Sequence, residues 1–253
     1  MKTFTRALVG AFLFVGAIAS ADDHTPSPFM PVEIYGCSYT EGKGLEDLLA
    51  VGKKWSRWAD KNIPQSGFAG VLTPYLYDSR NHDSDAYWMN ITGTFETMGS
   101  TMDDWSAKGA KMQAQFDEVC TIDSHSLFFG QGIQQPKNQD TGSSGMMMLE
   151  ICNMKDGATP AKMMAADEKM RAQQAKMGTE GGMMRWFPIA GMAREIEFDF
   201  LSIRFSPSMK AVGKNIDIFA KNMGQVGSPY ADLQDCASGE MFVGTPVRVP
   251  SQN

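Results

Sequence analysis

The chain has 253 residues, a formal net charge of −6 at pH 7 and 43% hydrophobic residues. Its acidic character and its lack of a basic cluster exclude nucleic acid and anionic lipid as expected partners. The hydrophobic content is sufficient for an ordinary packed core, and the length allows one domain or two small ones.

The start of the chain has the parts of an export signal. Lys2 and Arg6 supply positive charge, residues 7–17 form a short apolar run, and small residues end at Ala21. Spanning a membrane takes about 20 apolar residues, and no stretch of this sequence reaches that length. We therefore expect cleavage after Ala21 and a periplasmic or secreted protein without a membrane span. An uncleaved anchor is the alternative.

This cleavage would place His24 third in the mature chain, within a segment over residues 22–31 that we expect to be flexible. A free amine, two backbone amides and a histidine at that position form a square-planar nitrogen site, which suits Cu(II) or Ni(II). Cleavage after Ala19 would remove this geometry, so His24 is a metal-site candidate only under the first cleavage.

Apolar patterns predict the same order of elements twice along the chain. The first series has strands over 32–39, 68–77, 86–95 and 126–131, with helices over 45–59 and 101–119. The second series has strands over 146–154, 183–190, 196–205 and, more weakly, 240–243, with helices over 160–177 and 209–223. Each series reads β-α-β-β-α-β, which is the ferredoxin-like arrangement.

Four cysteines lie in two matched pairs along these series. Cys37 and Cys120 are 83 residues apart, and Cys152 and Cys236 are 84 apart. Export makes disulfides plausible, and four cysteines allow three connectivities. The repeat favours one crosslink in each copy. A four-thiolate metal site is the alternative, although the spacing has no short C-x-x-C pair.

These patterns predict an α+β fold made of two tandem ferredoxin-like repeats. The first repeat covers residues 32–135 and the second 146–245. Residues 136–145 are expected to form a linker, and residues 246–253 a C-terminal tail.

Two such units in one chain resemble the dimeric α/β-barrel superfamily over about residues 30–245. The Cys-x-x-x-Glu-Gly-Lys pattern that begins at Cys37, followed by a helix with Trp55 and Trp58, is also similar to exported marine bacterial proteins without an assigned activity. The superfamily resemblance implies two sheets packed as an intramolecular barrel with helices outside. The superfamily includes monooxygenases, chlorite dismutase-like haem proteins and simple binding proteins, so the fold does not select an activity.

His125 is the candidate catalytic residue. It is expected to open the last strand of the first repeat, on the face of Leu127 and Phe129. If this face lines the barrel cavity, His125 could serve as a haem ligand or a general base there. A structural histidine at a strand end is the alternative.

Aromatic residues cluster in the first repeat and suggest a pocket with polar groups, because buried tyrosines need hydrogen-bond partners. A packed aromatic core is the alternative. The candidate ligand-binding residues are Tyr35, Tyr39, Trp55, Tyr75 and Trp88.

The chain is rich in methionine, with 20 residues in total, and eleven of them lie between Met146 and Met192. Thioethers can bind Cu(I) in an oxidising compartment. Met163, Met170 and Met177 recur at helical spacing, however, and this pattern favours core packing.

The sequence therefore predicts an exported protein that binds a small apolar or aromatic ligand in a barrel pocket. A monooxygenase or haem-handling enzyme using His125 is the first alternative, and a periplasmic copper-binding protein using His24 and methionines is the second. A purely structural barrel filled by side chains is the third. No particular cofactor is specified.

Overall fold

The computed structural model describes residues 29–81, 84–136, 142–193, 197–222 and 227–249. Within these residues the chain forms a mixed α+β fold with five α-helices and an eight-stranded antiparallel barrel. In this described part, no helix is long and apolar enough to cross a membrane.

The first half of the molecule contains four strands and three helices. They are β1 (Phe29–Tyr39), α1 (Leu45–Asn62), β2 (Phe68–Leu76), β3 (Ala86–Ile91), α2 (Phe95–Lys108), α3 (Ala110–Asp117) and β4 (Cys120–Gln134). The second half contains five strands and two helices. They are β5 (Gly145–Met154), α4 (Pro160–Met177), β6 (Gly182–Ala190), β7 (Phe200–Ser206), α5 (Met209–Asn222), β8 (Gln234–Cys236) and β9 (Glu240–Arg248).

The barrel closes within the single chain. Its strands run in the order β1-β3-β2-β9-β5-β7-β6-β4 and return to β1, and the neighbouring pairs are antiparallel. The first half supplies the neighbours β4-β1-β3-β2, and the second half supplies β9-β5-β7-β6. The short strand β8 pairs with the end of β5 outside this circuit.

Alternation along the strands separates a barrel interior from a face covered by helices. Val32 and Ile34 of β1 belong to the interior cluster, whereas Tyr35 and Cys37 pack with the helices. Buried side chains fill the interior, including Leu72, Met89, Phe128, Met147, Trp186, Leu201, Ile203 and Phe242. The expectation placed a ligand pocket inside the barrel, whereas the two cavities described below lie outside this packed core.

Two prolines mark the strands that join the two sheets. Pro74 of β2 lies opposite Phe242 of β9, and Pro188 of β6 lies opposite Phe128 of β4. A register shift adjoins each proline. Such irregularities are typical beside proline, since proline cannot donate a ladder hydrogen bond.

The first-half elements differ from their predicted bounds. Strand β1 begins at Phe29, inside the segment expected to be flexible. Thr94 caps α2 by accepting a hydrogen bond from the backbone N–H of Thr97 at 3.0 Å, so β3 ends at Ile91 and the helix begins earlier than expected. The predicted long helix is divided at Gly109 into α2 and α3.

The second-half helices begin at hydroxyl caps. Thr159 precedes Pro160 and accepts a hydrogen bond from the N–H of Lys162 at 3.3 Å. Helix α5 is preceded by Ser208, whose Oγ accepts from the N–H of Ala211 at 3.2 Å. The last strand, β9, extends to residue 248, into the expected tail, because it pairs with both β2 and β5.

The structure joins Cys37 to Cys120 and Cys152 to Cys236, the pairing favoured by the repeat. Both bonds connect the first strand of a half to a strand that follows its last helix. Cys120 is the first residue of β4, beside Tyr39 of β1, and therefore does not continue the helix.

Candidate functional site

A pocket lies between the outer face of the first-half sheet and helices α1, α2 and α3. Its volume is ≈ 100 Å³. Its walls are mainly aromatic and apolar, with a polar floor that contains Glu33, Tyr35 and Asn90. We call it the first-half pocket; the other side chains that define it include Leu48, Trp55, Ile63, Trp88, Met102, Trp105 and Phe116.

Aromatic edge-to-face contacts fix the walls of this pocket. The Trp55 and Trp88 rings have centroids 5.1 Å apart, and Trp88 lies 5.2 Å from Phe116. Trp58 and Trp105 contact each other at 5.3 Å across α1 and α2. Such pairs add stability beyond their buried area, so the walls are held rigidly by packing between the helices and the strand.

Glu33 is the chemical centre of the pocket floor. Its Oε1 accepts hydrogen bonds from the Tyr35 hydroxyl at 2.7 Å and from Nε2–H of His125 at 2.9 Å. Its Oε2 accepts one from Nδ2–H of Asn90 at 2.8 Å. Asn90 in turn accepts from Nε1–H of Trp88 at 2.9 Å. The three strands β1, β3 and β4 thus place three polar partners around one buried carboxylate.

The carboxylate of Glu33 is buried but ionised. Burial alone would raise its pKa, but the hydrogen bonds from His125, Tyr35 and Asn90 outweigh burial and lower the pKa below its ordinary value. Burial and the neighbouring Glu33 charge raise the pKa of Tyr35, which therefore stays protonated as a donor. A carboxylate offers about four lone-pair sites. The described hydrogen bonds occupy two at Oε1 and one at Oε2 of Glu33.

Replacing Glu33 by glutamine should change how the free energy of unfolding depends on pH. Because the folded pKa of Glu33 is lowered, its stabilising effect is present above the ordinary value of 4.5 and is lost as the pH falls through the folded pKa. We expect Glu33→Gln to lower the free energy of unfolding by about 2 kcal/mol at pH 7. Urea unfolding at several pH values should show the difference shrinking below pH 4.5. The exposed Glu168→Gln should show no such trend, and parallel curves for both variants would contradict the assignment.

His125 shares the face of Leu127 and Phe129, as expected, but this face lies on the outside of the barrel. It is in the middle of β4, pairs with Tyr35 of β1, and stacks on the Tyr35 ring with centroids 4.0 Å apart. Its side chain is 48% exposed, whereas that of Glu33 is 4% exposed. His125 therefore connects the buried carboxylate to solvent and does not face the barrel interior. The register of β4, which starts at Cys120, puts it there.

The structure brings together three of the five predicted aromatic residues. Tyr35, Trp55 and Trp88 all line the first-half pocket. Tyr39 packs against the same core, and within the described residues its buried hydroxyl has no hydrogen-bond partner. Tyr75 is exposed near the end of β2, away from the pocket. By strand alternation Tyr75 shares a face with Tyr77, and both are exposed. Alternation does not indicate where the helices that cover a sheet end.

Sequence reasoning missed Glu33, Asn90 and Trp105 as pocket residues. A signal for Glu33 was present, because it is a charged residue on the same strand face as Tyr35 and Cys37. In the sequence, Asn90 is distinguished only by belonging to an Asn-x-Thr pattern. Its role depends on β3 lying beside β1, where it is the register partner of Glu33.

The second half has a buried ion pair in the corresponding layer between sheet and helix. Asp167 of α4 binds Arg185 of β6 through two hydrogen bonds of 2.6 and 3.0 Å, and their side chains are 6% and 2% exposed. The Tyr230 hydroxyl donates to the same carboxylate at 2.7 Å. Burial and this bond to Asp167 raise the pKa of Tyr230. Because Asp167, Arg185 and Tyr230 bind one another in the interior, the cluster indicates a structural role.

A larger cavity, which we call the second-half cleft, lies between α4, α5 and the outer face of β5, β6, β7 and β9. Its volume is ≈ 370 Å³. Helix α5 leaves Ile216 and Phe219, which line the cleft, 60% and 53% exposed. Six methionines also line it: Met146, Met148, Met170, Met177, Met183 and Met241. Core packing explains Met163, which is buried, but Met170 and Met177 line an open space.

The predicted metal site at His24 lies outside the described residues. Within the described residues, no group of three or more His, Cys, Asp or Glu side chains is placed to hold a metal ion. The four cysteines are in disulfides, so the alternative of a four-thiolate site is wrong.

Comparisons with known proteins show the fold. No family model and no curated protein matches the sequence. A proposed monooxygenase from Fusobacterium nucleatum is similar with a TM-score of 0.53 and 9% identity, covering 88% of this chain and 94% of the other. A proposed monooxygenase from Lactobacillus acidophilus has a TM-score of 0.50 and 13% identity, covering 87% and 95%. The chain thus shares the fold of these structures, with both sheets of its eight-stranded barrel in one polypeptide.

The alternative function in which His125 binds haem requires a cavity that could hold this group. Haem needs an axial ligand and a cavity of several hundred Å³. The first-half pocket is too small, and its Tyr35 hydroxyl is bound to Glu33. The second-half cleft offers thioethers, but its lining cation Arg204 is already paired with Glu150 at 3.2 Å. The residues present therefore fit haem poorly.

Proposed function

We propose that the protein binds a small aromatic molecule with a hydroxyl group in the first-half pocket. The observation that carries this proposal is the Glu33 carboxylate among the side chains that line an aromatic pocket, where its three described hydrogen bonds use three of about four lone-pair sites. A hydrogen bond from a hydroxyl to a carboxylate is short and roughly twice as strong as a neutral one. The edges and faces of Trp55 and Trp88 would enclose the ring.

The size of the pocket limits the ligand to about one ring. The volume of ≈ 100 Å³ is below that of sites for drug-sized ligands, which begin at about 300 Å³. It is closer to an engineered cavity of about 150 Å³ that binds benzene. Single-ring phenols combine this size with a donor for Glu33, so phenol is the simplest probe.

Phenol binding should depend on the charge of Glu33. We expect Glu33→Gln to weaken phenol binding by about 10-fold or more, because a hydrogen bond to a charged group contributes about 1.5–3 kcal/mol. Tryptophan fluorescence and calorimetry would measure the dissociation constants. Tyr75→Phe is the matched control, since Tyr75 lies outside the pocket and should leave the affinity unchanged.

Benzene supplies the second comparison. It fits the same space without a donor, so wild-type protein should prefer phenol and Glu33→Gln should lose that preference. Equal affinity of wild-type protein for phenol and benzene would contradict the role of the carboxylate, and no binding of either at millimolar concentration would contradict the pocket.

Oxidation of the bound phenol is the second candidate function. The half-exposed His125 offers a path by which a hydroxyl proton passes from the ligand through Glu33 to solvent. Loss of that proton makes the ring electron-rich. Phenol and dioxygen would then give a quinone and water, because one oxygen atom enters the ring, the other leaves as water, and the ring supplies the four electrons that reduce dioxygen. The two solved structures with TM-scores of 0.53 and 0.50 are described as proposed monooxygenases, which supports this reaction class. Oxygen consumption that depends on both phenol and His125 would support it, and binding without consumption would leave ligand binding as the function.

We also infer that the two halves are copies of one ferredoxin-like unit, over residues 32–135 and 146–245. The equal strand orders β4-β1-β3-β2 and β9-β5-β7-β6 support this origin. Two disulfides support export to the periplasm or beyond, because such bonds persist in oxidising compartments. Mass measurement of the exported protein would test cleavage after Ala21.

A further inference from the structure

We propose that the second-half cleft binds a soft monovalent metal ion, Cu(I) or Ag(I), through the thioethers of Met148, Met241 and a third methionine. This site is separate from the first-half pocket and does not depend on the phenol proposal. Soft thioether ligands select Cu(I) among the metals available to proteins, and Ag(I) has the same preference for sulfur.

The strand register brings the methionines to one place. Met148 of β5 and Met241 of β9 are direct register partners. Side chains opposite each other on antiparallel strands have Cβ atoms about 4.5–5.5 Å apart, so two flexible thioethers there can reach a common ion. Met146 lies two residues along β5 and therefore on the same face. Met147, between them, faces the barrel interior and belongs to its core.

Further methionines approach the same face from β6 and from the helix above. Met183 of β6 pairs in register with Arg204 of β7, which pairs with Met148. Met170 and Met177 of α4 line the cleft from the helical side. Met146, Met183 and Met241 are buried, which shields a bound ion from solvent. The cleft thus supplies sulfur ligands from three strands and one helix.

The charges around the cleft are compatible with a monovalent cation. Arg204 forms an ion pair with Glu150 at 3.2 Å, so its charge is compensated. Glu180, which also lines the cleft, is paired with Lys214 at 2.5 Å. Thioethers are neutral, so the ion would bring one positive charge into a protein whose formal net charge is −6.

Packing alone does not account for this arrangement. Buried methionines normally fill gaps in a core, but these six are among the residues that line a cavity of ≈ 370 Å³. Helix α5 leaves its apolar side chains Ile216 and Phe219 exposed beside it. In the first half, tryptophan and phenylalanine rings leave a smaller pocket of ≈ 100 Å³ in the equivalent layer.

The test is Cu(I) titration of the exported full chain against a chromogenic Cu(I) chelator, under reductant-free anaerobic conditions that keep the disulfides intact. All proteins carry His24→Ala, so that a terminal nitrogen site cannot compete. We expect one Cu(I) per chain with a sulfur-only first shell by X-ray absorption. The double variant Met148→Leu/Met241→Leu should bind at least 100-fold more weakly. Leucine keeps the volume and apolar character, so this change removes sulfur and leaves the cleft otherwise similar.

The matched control is Met154→Leu/Met164→Leu, which changes two exposed methionines outside the cleft and should leave the affinity unchanged. A second measurement uses the fully native sequence. Addition of Ag(I) should shift the methyl NMR signals of Met148 and Met241 but not those of Met98 and Met112 in the first half. Equal Cu(I) affinity in all variants, or a shell of nitrogen and oxygen, would overturn the proposal. Binding of an apolar dye that all variants share, without Cu(I) binding, would identify the cleft as a site for apolar molecules only.

Discussion

Replacing Asp167 by alanine is expected to lower the free energy of unfolding by about 3–5 kcal/mol. The reason is that Arg185, whose side chain is 2% exposed, would keep its charge without a counterion. Tyr230 would lose its acceptor at the same time. Breaking a buried pair by removing one partner is much more costly than removing both, because an unpaired charge in a low-dielectric interior is poorly solvated. Urea unfolding at pH 7 measures the loss.

Two controls distinguish the cost of an unpaired buried charge from the cost of losing an ion pair. The double variant Asp167→Leu/Arg185→Met removes both charges and should be more stable than Asp167→Ala. Lys214→Ala breaks the exposed pair with Glu180 and should cost less than about 1 kcal/mol. A loss in Asp167→Ala no larger than in Lys214→Ala would show that the buried cluster is not a structural element.

Removing either disulfide is expected to lower the free energy of unfolding by about 4 kcal/mol. The bonds close loops with sequence separations of 83 and 84 residues, so the entropy that each removes from the unfolded chain is nearly the same. Paired alanine variants, Cys37→Ala/Cys120→Ala and Cys152→Ala/Cys236→Ala, should therefore lose similar amounts in urea unfolding. Cys37 and Cys120 are both buried, so their variant also loses some packing.

Reduction provides the control for these variants. Treatment of wild-type protein with a thiol reductant should lower its stability beyond that of either variant, because both bonds then open. Each variant retains one bond and should lose about the same amount again on reduction. Wild-type protein that keeps its full stability after complete reduction, verified by counting thiols, would contradict the expected contribution.

The sequence was informative where local patterns decide the structure. Helix α4 begins at Pro160 and ends at Met177, as its apolar spacing and its proline indicated. The alternation of β1 correctly put Tyr35, Cys37 and Tyr39 on one face. These features depend on side-chain periodicity and on backbone restrictions within a few residues, which the order of residues specifies directly.

The ends of the elements and the candidate site were harder to predict from sequence, because they depend on which hydrogen-bond and strand partners a residue finds in the fold. Helix α2 begins at Phe95, directly after Thr94, because the Thr94 hydroxyl accepts a hydrogen bond from the N–H of Thr97, whereas the apolar pattern alone favoured a later start. His125 was expected at a strand end, on the face of Leu127 and Phe129. The long pairing of β4 with β1 puts it in the middle of the strand, and this shared face lies outside the barrel, beside Glu33.

The sequence by itself determined the kinds of elements, their order, and the two matched cysteine pairs that hold each half together. Only the tertiary structure decided which strand face became the packed barrel interior and which became a pocket. Glu33 is separated from Asn90 by 57 residues and from His125 by 92, and strand pairing alone brings them to one carboxylate. Alternation shows which residues share a face, but the position of the covering helices determines whether that face is filled, as in the barrel, or left open, as in the second-half cleft.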